Sequence, residues 1–340
     1  MGIKNLNKIL KKYDCYQTKH LSNFSYKRIA IDISLYLYKY KAIAGDKWME
    51  SFVFLISCLR KWNIHCIFVY DNKAPSEKKD EQERRREVRC KQTQRLSELE
   101  RDIEIYENGG EASERMFEIC KKEGAVSYLR KRIDLNTIKR KVESMRSMII
   151  SITEEELQLS RDLFDLLKIP YVIAPEEAEA YSSYLCIHGK VDAVLSEDTD
   201  VLAYGAPIFL SKIDTFNDTV VVLDYEEMLT QMKMTKETFL DLCIMLGCDY
   251  NSNIPNIGPE KSLAFLLKFK TIDALEMDKS ALNHVRMREM FAVPNVDFYV
   301  PYCGIPDFDK VDSFLKEHNV KYNFGLLQKN LGESELSFID

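Results

Sequence analysis

Residues 174–200 read APEEAEAYSSYLCIHGKVDAVLSEDTD. The stretch holds two close pairs of acids, one toward each end: Glu177 with Glu179, and Asp198 with Asp200. Between the pairs, a short helical pattern is followed by an apolar run that is typical of a buried strand. Pro175 predicts the first position of the helix, where its missing N–H costs nothing. We therefore expect the first pair at a helix N-terminus and the second just beyond the end of a strand.

Two further acids follow apolar strand patterns nearer the N-terminus. Asp32 ends the run RIAID at residues 28–32, and Asp71 follows the run IHCIFVY at residues 64–70. The helical spacing between the runs completes a strand–helix–strand unit, whose two strands are parallel. Ligands bind at the carboxyl ends of the strands in such sheets. Asp249, in a loop after a later helical pattern, is the seventh acid expected at this edge.

Seven carboxylates at one edge repel one another unless cations lie among them. Oxygen ligands without His or Cys select Mg²⁺ or Mn²⁺ rather than zinc. Two divalent ions, together with Lys78 and Arg85 at the base of a basic segment, bring the local charge close to neutrality. Ions about 4 Å apart activate a water and stabilise the leaving oxygen in phosphodiester hydrolysis. The alternative for either pair of acids alone is a solvated helix cap or loop.

The composition is that of a globular protein without a membrane span. Of the 340 residues, 46% are hydrophobic and 30% are charged, and no apolar run reaches the roughly 18 residues that a span requires. Residues 1–4 are too charged to begin a secretory signal. The nine cysteines include no CxxC pair, which favours reduced, intracellular thiols over disulfides or zinc sites.

The net charge of −6 conceals two basic segments. Residues 78–95 contain eight basic and four acidic side chains, and residues 121–146 contain nine basic and three acidic. The intervening residues 96–120 contain eight acidic and two basic side chains. Basic ends around an acidic middle indicate a segment whose two ends face a polyanion. The alternative is that these are ordinary solvated helix faces.

The same segment has helical patterns that interrupt the α/β pattern, so we interpret residues 78–150 as an inserted helical arm. Apolar residues recur there at alternating spacings of three and four: Leu135, Ile138, Val142, Met145 and Ile149. This seam predicts packing on another helix. Because two heptads are short for a dimer zipper, we expect an intramolecular hairpin and a monomeric protein.

Seven motifs stand in the order seen in the flap endonuclease/XPG family of structure-specific 5′ nucleases: MGIKNL, IAIDIS, VYDNKAP, APEEAEA, VLSEDTD, LGCDY and NIGPEK. The resemblance covers about residues 1–95 and 150–272. It implies an α/β fold with a mostly parallel sheet flanked by helices (a PIN-like nuclease core), an inserted helical arch and a C-terminal helix–hairpin–helix region. The corresponding domains are residues 1–77 and 151–234 for the two nuclease halves, 78–150 for the arch, and 235–340 for the C-terminal region.

The implied activity is Mg²⁺-dependent hydrolysis of DNA near single-strand/double-strand junctions, at 5′ flaps and with 5′→3′ exonuclease activity. Two metal ions serve the reaction, and Mn²⁺ substitutes for Mg²⁺. The expected partner is DNA with flaps, nicks or junctions. The resemblance implies a role in DNA replication, repair or recombination, and with it an intracellular location in the nucleus or another site of DNA replication.

The resemblance also implies roles for individual residues. The family's metal-site acids correspond to Asp32, Asp71, Glu177, Glu179, Asp198, Asp200 and Asp249. Lys78 and Arg85 match the basic pair that contacts the scissile phosphate. Tyr38 matches the aromatic residue that stacks on the terminal base beside the cleaved bond; the alternative is a core aromatic in a tyrosine-rich helix. Gly2 matches the N-terminal glycine that lies against DNA.

The hairpin at residues 256–261 resembles the family's helix–turn–helix element, whose backbone holds duplex phosphates through a bound K⁺. The expected DNA contacts are Asn256, Ile257, Gly258 and Lys261. Amides in a turn form an anion nest, which Lys261 reinforces. Family members usually have Gly where this chain has Asn256, but Asn also tolerates the left-handed conformation. The alternative is a plain helix–helix turn.

Other departures from the family limit the functional prediction. The arm is longer than in the flap endonucleases proper and acidic in its middle, so the passage of a single-stranded flap through it stays open. A sliding-clamp box begins at Gln328 but ends at residues 332–334, so clamp binding through it is not expected. A 5′→3′ exonuclease or a junction resolvase is the alternative of similar chemistry. A catalytically inactive DNA-binding scaffold is disfavoured because no acid is missing, and an RNA-directed nuclease is disfavoured by the hairpin.

Overall fold

A seven-stranded sheet forms the centre of the protein. The computed structural model describes residues 2–73, 75–122, 126–127, 132–294 and 298–332. These include nine strands: β1 (Gln17–His20), β2 (Arg28–Asp32), β3 (His65–Tyr70), β4 (Val126–Ser127), β5 (Arg132–Ile133), β6 (Tyr171–Ile173), β7 (Ala193–Leu195), β8 (Ile208–Asp214) and β9 (Thr219–Asp224). They also include fifteen α-helices: α1 (Leu6–Lys12), α2 (Ile33–Ala44), α3 (Trp48–Lys61), α4 (Lys79–Glu107), α5 (Glu114–Lys122), α6 (Leu135–Arg146), α7 (Glu154–Leu166), α8 (Ala178–Ile187), α9 (Asp200–Tyr204), α10 (Tyr225–Met232), α11 (Lys236–Leu246), α12 (Pro259–Phe269), α13 (His284–Met290), α14 (Phe308–Glu317) and α15 (Phe324–Gly332).

The central sheet is mixed but mostly parallel. Its strands lie in the order β1-β9-β8-β7-β2-β3-β6. β8, β7, β2, β3 and β6 are parallel, whereas β9 runs antiparallel between β8 and β1. The register sets Asp32 of β2 beside Val69 of β3, and Ile31 beside Leu195 of β7. The carboxyl ends of β7, β2 and β3 therefore meet at one edge, and the predicted α/β fold is confirmed.

Both faces of the sheet are buried, because helices cover it on two sides. Along β2, Ile29 and Ile31 belong to one apolar core and Ala30 belongs to the other. Helices α2, α3, α7, α14 and α15 close the first core. Helix α1 and helices α8 to α13 close the second. Burial on both faces explains why these strands appear in the sequence as continuous apolar runs.

The chain between β3 and β6 forms the helical arm. Its longest helix, α4, has 29 residues and packs with α5 and α6 around a separate apolar core that includes Leu99, Ile138 and Val142. Four of the five predicted seam residues therefore pack within the chain: Ile138 and Val142 in this core, and Leu135 and Met145 against it. The seam is shorter than predicted because α6 ends at Arg146, and the Ile149 N–H donates to the Arg146 carbonyl in a turn.

Two local features differ from expectation. Helix α8 begins at Ala178 and not at Pro175, because the preceding residues are held against the end of β3. There the Asn72 N–H donates to the Glu176 carbonyl at 2.9 Å, and the Ala178 N–H donates to the Asp71 carboxylate at 2.8 Å. Strand β1 has no apolar pattern in its sequence, QTKH, and it forms by backbone pairing with β9 at the edge of the sheet.

The C-terminal region is helical and returns to the nuclease core. Helices α12 and α13 both pack on α11, whereas α15 packs on α3. Residues 333 and 334, at which the sliding-clamp box departs from its pattern, lie outside the described residues. Within the described ranges, no helix is both long and apolar enough to cross a membrane.

An ion pair between a partly exposed arginine and a buried aspartate fixes α13 to α11. The Arg288 guanidinium donates to both oxygens of Asp241, at 2.8 and 2.7 Å. Asp241 is only 2% exposed, and it also accepts the N–H of Ile272 at 2.9 Å. Arg288 reaches Asp273 at 2.8 Å as well. The pair therefore joins three segments of the C-terminal region.

We expect Arg288→Met to lower the free energy of unfolding by about 3 kcal/mol, because the substitution leaves the Asp241 carboxylate buried without its cation. The measurement is urea unfolding. The matched control is Arg286→Met on the same helix, whose partner Glu77 is in a partly exposed pair and whose loss should cost about 0–1 kcal/mol. If both variants lost the same free energy of unfolding, the Arg288–Asp241 pair would not be the more important of the two for stability.

Candidate active site

The strand order brings three acids to one edge of the sheet. Asp32 ends β2 and caps α2, where its carboxylate accepts the Leu35 N–H at 3.2 Å. Asp71 directly follows β3, the neighbouring strand. Asp198 lies three residues after β7, the neighbour of β2 on the other side. The parallel pairing of β7, β2 and β3 therefore places these three acids side by side.

The start of α8 supplies the next two acids. Glu177 is the N-cap residue of α8 and Glu179 lies in its first turn. Residues two apart on a regular helix point in different directions, so the two carboxylates come together only because one precedes the helix. The bond from the Ala178 N–H to Asp71 sets this helix start against the end of β3.

Three buried acids form a group that could hold a metal ion. Glu179, Asp198 and Asp200 each offer a carboxylate oxygen, and these oxygens lie within 4.8 Å of one another. Both carboxylate oxygens of Asp200 are buried without a hydrogen-bond partner among the described residues. A buried carboxylate with no donor requires a proton or a cation. Oxygen donors of this kind fit a hard divalent cation.

The proximity of the acids is reflected in their pKa values. Burial, followed by the neighbouring charge of Asp71, raises the pKa of Asp32 to about 8. Burial and then Glu177 raise the pKa of Glu179 well above its usual value. The pKa of Asp200 is raised in the same direction by burial and then by Asp198. Without a cation, burial and mutual repulsion therefore favour the protonated forms of these acids.

The other acids lie beside this group but have protein partners of their own. Asp249 lies in the loop after α11 and accepts Arg85 Nη2 at 2.6 Å. Glu177 accepts a hydrogen bond from the Tyr250 hydroxyl. Asp32 and Asp71 accept the backbone N–H groups already described. The structure brings the seven predicted acids together: three form the central group, and the other four lie beside it with these partners. Within the central group, Asp198 Oδ1 accepts the Asp200 N–H at 2.9 Å, whereas both carboxylate oxygens of Asp200 lack a donor among the described residues.

Lys78 and Arg85 lie over these acids. Lys78 Nζ pairs with Glu177 and lies 3.6 Å from both Glu179 and Asp249. Burial alone lowers the pKa of Lys78, but the carboxylates of Glu179 and Glu177 outweigh this effect and raise it well above its usual value. Arg85 binds Asp249. Both cations come from the base of the arm, so the arm contributes charge directly to the site.

Gly2 is packed against the loop that carries two of the acids. A Cβ atom at this position would lie 2.1 Å from Asp198 Oδ1 and 2.8 Å from the amide nitrogens of Thr199 and Asp200. The φ angle of Gly2 is +84°, a conformation that side chains disfavour. Only glycine fits this position without displacing the loop.

Tyr38 is 38% exposed, in contrast to the buried Tyr36 of the same helix. It is therefore not the core aromatic that the alternative interpretation required. Tyr38 lines a cleft of about 500 Å³ between α2 and α4, together with Arg84, Arg85 and Arg89. The cleft joins an aromatic ring to three guanidinium groups beside the acids.

The hairpin at residues 256–261 has the turn that the sequence predicts. Asn256 adopts φ 63°, in the left-handed region that Asn tolerates. The Ile257 N–H donates to the Ile254 carbonyl at 3.2 Å, and Gly258 is the N-cap residue of α12. Lys261 Nζ donates to the Asn256 carbonyl at 3.2 Å. The lysine charge is thus held at the turn.

Sequence reasoning assigned no role to several residues of the site. Tyr250 directly follows Asp249 in the LGCDY motif, and its ring faces Lys78 Nζ, 5.7 Å from the ring centre. Glu197, next to Asp198, pairs with Lys39 of α2. A tyrosine or glutamate next to a candidate ligand in the sequence is only a weak indication of a functional role, because the fold determines where its side chain points.

Family sequence models match the chain as the XPG N-terminal domain at residues 1–92 and the XPG I-region at residues 168–249. The chain is 35% identical over 325 residues to a probable RAD2-like endonuclease, 076L, of Invertebrate iridescent virus 3, with 86% of each protein covered. It is 30% identical over 292 residues to flap endonuclease 1 of Enterocytozoon bieneusi, with 81% of this chain and 72% of that protein covered. The solved catalytic core of Rad2 in complex with a DNA substrate has a TM-score of 0.67 at 18% identity, covering 97% of this chain and 99% of that one. The last comparison confirms the predicted nuclease fold.

We expect Gly2→Ala to weaken binding of Mn²⁺ by at least about tenfold, because the new Cβ displaces the loop that orients Asp198 and Asp200. Calorimetric titration of the protein with Mn²⁺ measures the affinity. Gly325→Ala in α15 is the control, since its Cβ meets only Asn323 Oδ1 at 3.7 Å. An unchanged affinity in Gly2→Ala would show that the contact does not shape the site.

We expect the metal-free protein to become less stable as the pH rises from about 4 to about 8. Burial and then Asp71 raise the pKa of Asp32 from 3.8 to about 8, so folding favours the protonated carboxyl group. Its stabilising contribution is complete below the unfolded pKa and is lost progressively until the pH reaches the folded pKa. Mg²⁺ should remove the loss, because it binds the carboxylate form. Thermal unfolding in a chelator and in Mg²⁺ tests this, and a melting temperature that does not depend on pH in the chelator would contradict it.

Proposed function

The chain belongs to the XPG family of structure-specific nucleases, and we propose that it hydrolyses DNA at 5′ flaps, next to the single-strand/double-strand junction, with two Mg²⁺ ions. Mn²⁺ is expected to substitute. The observation that carries the proposal is the buried group of Glu179, Asp198 and Asp200, in which Asp200 has no donor among the described residues. The names of the similar endonucleases support the substrate class.

The acids have two tasks in this proposal. Glu179, Asp198 and Asp200 would bind metal directly, since each offers an oxygen within 4.8 Å of the other two. When bound, the ions supply an activated water and stabilisation of the leaving oxygen. Asp32, Asp71, Glu177 and Asp249 complete the negative field from positions that hydrogen bonds to the protein already fix. This prior ordering lowers the cost of arranging the site when DNA binds.

Lys78 and Arg85 are proposed to hold the scissile phosphate. Both cations lie against the acids, so a phosphate beside the metal group is within their reach. Arg presents a planar fork of donors to phosphate oxygens, and Lys presents a point charge. Their position at the base of the arm makes cleavage depend on how the arm is seated.

The cleft between α2 and α4 is proposed to receive the end of the strand next to the cleaved bond. Tyr38 offers an exposed ring for base stacking. Arg84 and Arg89 line the same cleft and supply charge for the backbone phosphates. This combination of ring and cations suits single-stranded nucleic acid without preference for sequence.

The hairpin is proposed to hold the duplex on the other side of the junction. The turn at Asn256, Ile257 and Gly258 presents backbone groups to a phosphate, and Lys261 adds charge. We propose K⁺ as the ion that joins these backbone groups to the phosphate. Gly2, beside the Asp198 loop, is proposed to contact DNA near the acids.

The same chemistry serves a 5′→3′ exonuclease or a junction resolvase, so the substrate must be tested directly. The experiment compares 5′-labelled flap, nicked, gapped and four-way DNA in single-turnover cleavage with Mg²⁺. We expect the 5′ flap to be cut fastest, because the aromatic cleft and the hairpin together require both a single strand and a duplex. Faster degradation of blunt or nicked duplex would overturn the flap assignment.

In the same panel, Asp198→Asn should lower the cleavage rate roughly 10³-fold, since the charge stabilisation lost is worth several kcal/mol. Binding of junction DNA should persist, because no phosphate contact is removed. The matched control is Asp309→Asn, an exposed position on α14, which should cleave normally. Equal rates for wild type and Asp198→Asn would indicate a contaminating nuclease.

A further inference from the structure

Helix α13 reaches the base of the arm, although no motif in its sequence indicates a catalytic role. Arg286 of α13 donates from Nε and Nη2 to Glu77 Oε1, at 2.9 and 2.7 Å. Glu77 lies in a short 3₁₀ turn, Ser76–Lys78, that leads into α4. The ion pair therefore joins the C-terminal region to the residue immediately before Lys78, across 209 positions of sequence.

A second contact connects the end of α13 to the side chain of Lys78. Phe291, the C-cap residue of α13, packs edge-on against the Tyr250 ring, with centroids 5.9 Å apart. The Tyr250 hydroxyl donates a hydrogen bond to Glu177. Lys78 Nζ pairs with Glu177 and lies 5.7 Å from the centre of the Tyr250 ring. The backbone of Lys78 is thus tied to α13 on one side, and its ammonium is tied on the other.

Lys78 needs such support. Its ammonium is a point charge on a flexible four-carbon stem, and it stands at the joint between the 3₁₀ turn and a 29-residue helix that extends away from the sheet. A displacement of about 1 Å of a group that holds the substrate can cost a factor of about 100 in rate. Movement of the arm base is transmitted directly to this residue.

We propose that α13 positions Lys78 for phosphate contact, with Arg286 acting through Glu77 and with Tyr250 acting through Glu177. Arg286 and Tyr250 are positioning residues, because neither has to touch the substrate. The ion pair is half-exposed at Arg286, and exposed pairs contribute little to stability, so its effect lies in geometry. The inference rests on the phosphate-holding role proposed for Lys78.

The first test is charge reversal at the ion pair. Arg286→Glu places two carboxylates together, and we expect the single-turnover rate on flap DNA to fall roughly tenfold at an unchanged Kd for the same DNA. The swapped pair, Glu77→Arg with Arg286→Glu, should restore most of the rate. Glu289→Gln is the matched control, since it removes the other carboxylate that Arg286 contacts, at 3.1 Å, and leaves Glu77 in place.

The second test needs neither DNA nor metal. Hydrogen exchange of the amides at residues 76–85 should accelerate in Arg286→Glu and return to normal in the swapped pair and in Glu289→Gln. Tyr250→Phe keeps the ring packed on Phe291 but removes the donor to Glu177. It should lower the single-turnover rate at unchanged DNA affinity while leaving exchange at residues 76–85 unaltered.

Three outcomes overturn the proposal. A weaker Kd in Arg286→Glu that the swapped pair does not repair would identify Arg286 as a phosphate contact. An unchanged cleavage rate would show that the ion pair is only a solvated surface contact. Unchanged exchange at residues 76–85 would show that it does not order the arm base. A failed nuclease assignment gives a different pattern, with equal cleavage by wild type and Asp198→Asn and an intact effect on exchange.

Discussion

Mutual repulsion among carboxylates is the constraint on which the remaining structure depends. Parallel strands end at the same edge, so acids that follow β2, β3 and β7 are brought together whether or not their charges favour it. Burial strengthens the repulsion, because the low dielectric of the interior screens charge poorly. Burial first, and then the neighbouring charges, raise the pKa values of Asp32 and Glu179. Only added positive charge makes the ionised group stable, and this requirement connects the acids to everything around them.

The chain supplies part of that charge from segments outside the sheet. Lys78 and Arg85 enter from the arm, and their contacts with Glu177 and Asp249 make the arm base part of the site. The N-terminus contributes by shape, since Gly2 packs on the loop of Asp198. Helix α13 then holds the arm base from the C-terminal side. Segments that are distant in sequence thus meet around the same few carboxylates, and each of them restricts the positions of those side chains.

The sequence predicts the parts of this arrangement that local patterns control. Apolar runs locate β2, β3 and β7. The acids that end or follow these strands lie at one edge of the sheet, because parallel strands have their carboxyl ends at the same edge. The sequence does not predict where α8 begins, since Asp71 captures the Ala178 N–H, and this bond depends on strand pairing. The roles of Tyr250 and Arg286 are not predicted for the same reason. Their partners, Glu177 and Glu77, are 73 and 209 positions away, and a local sequence pattern does not reveal contacts between residues so far apart.

The charge pattern of the arm follows from its packing. The acidic middle is not a bare negative surface, because several of its carboxylates pair within the arm: Glu98 with Arg115 at 2.8 Å, Glu107 with Lys139 at 2.6 Å and Glu100 with Arg146 at 2.6 Å. These pairs link α4 to α5 and α6 around the arm's own apolar core. Basic residues near the base, such as Arg84 and Arg89, instead line the cleft beside Tyr38. The arm therefore pairs several of its acids internally and places positive charge beside Tyr38, close to the carboxylate group.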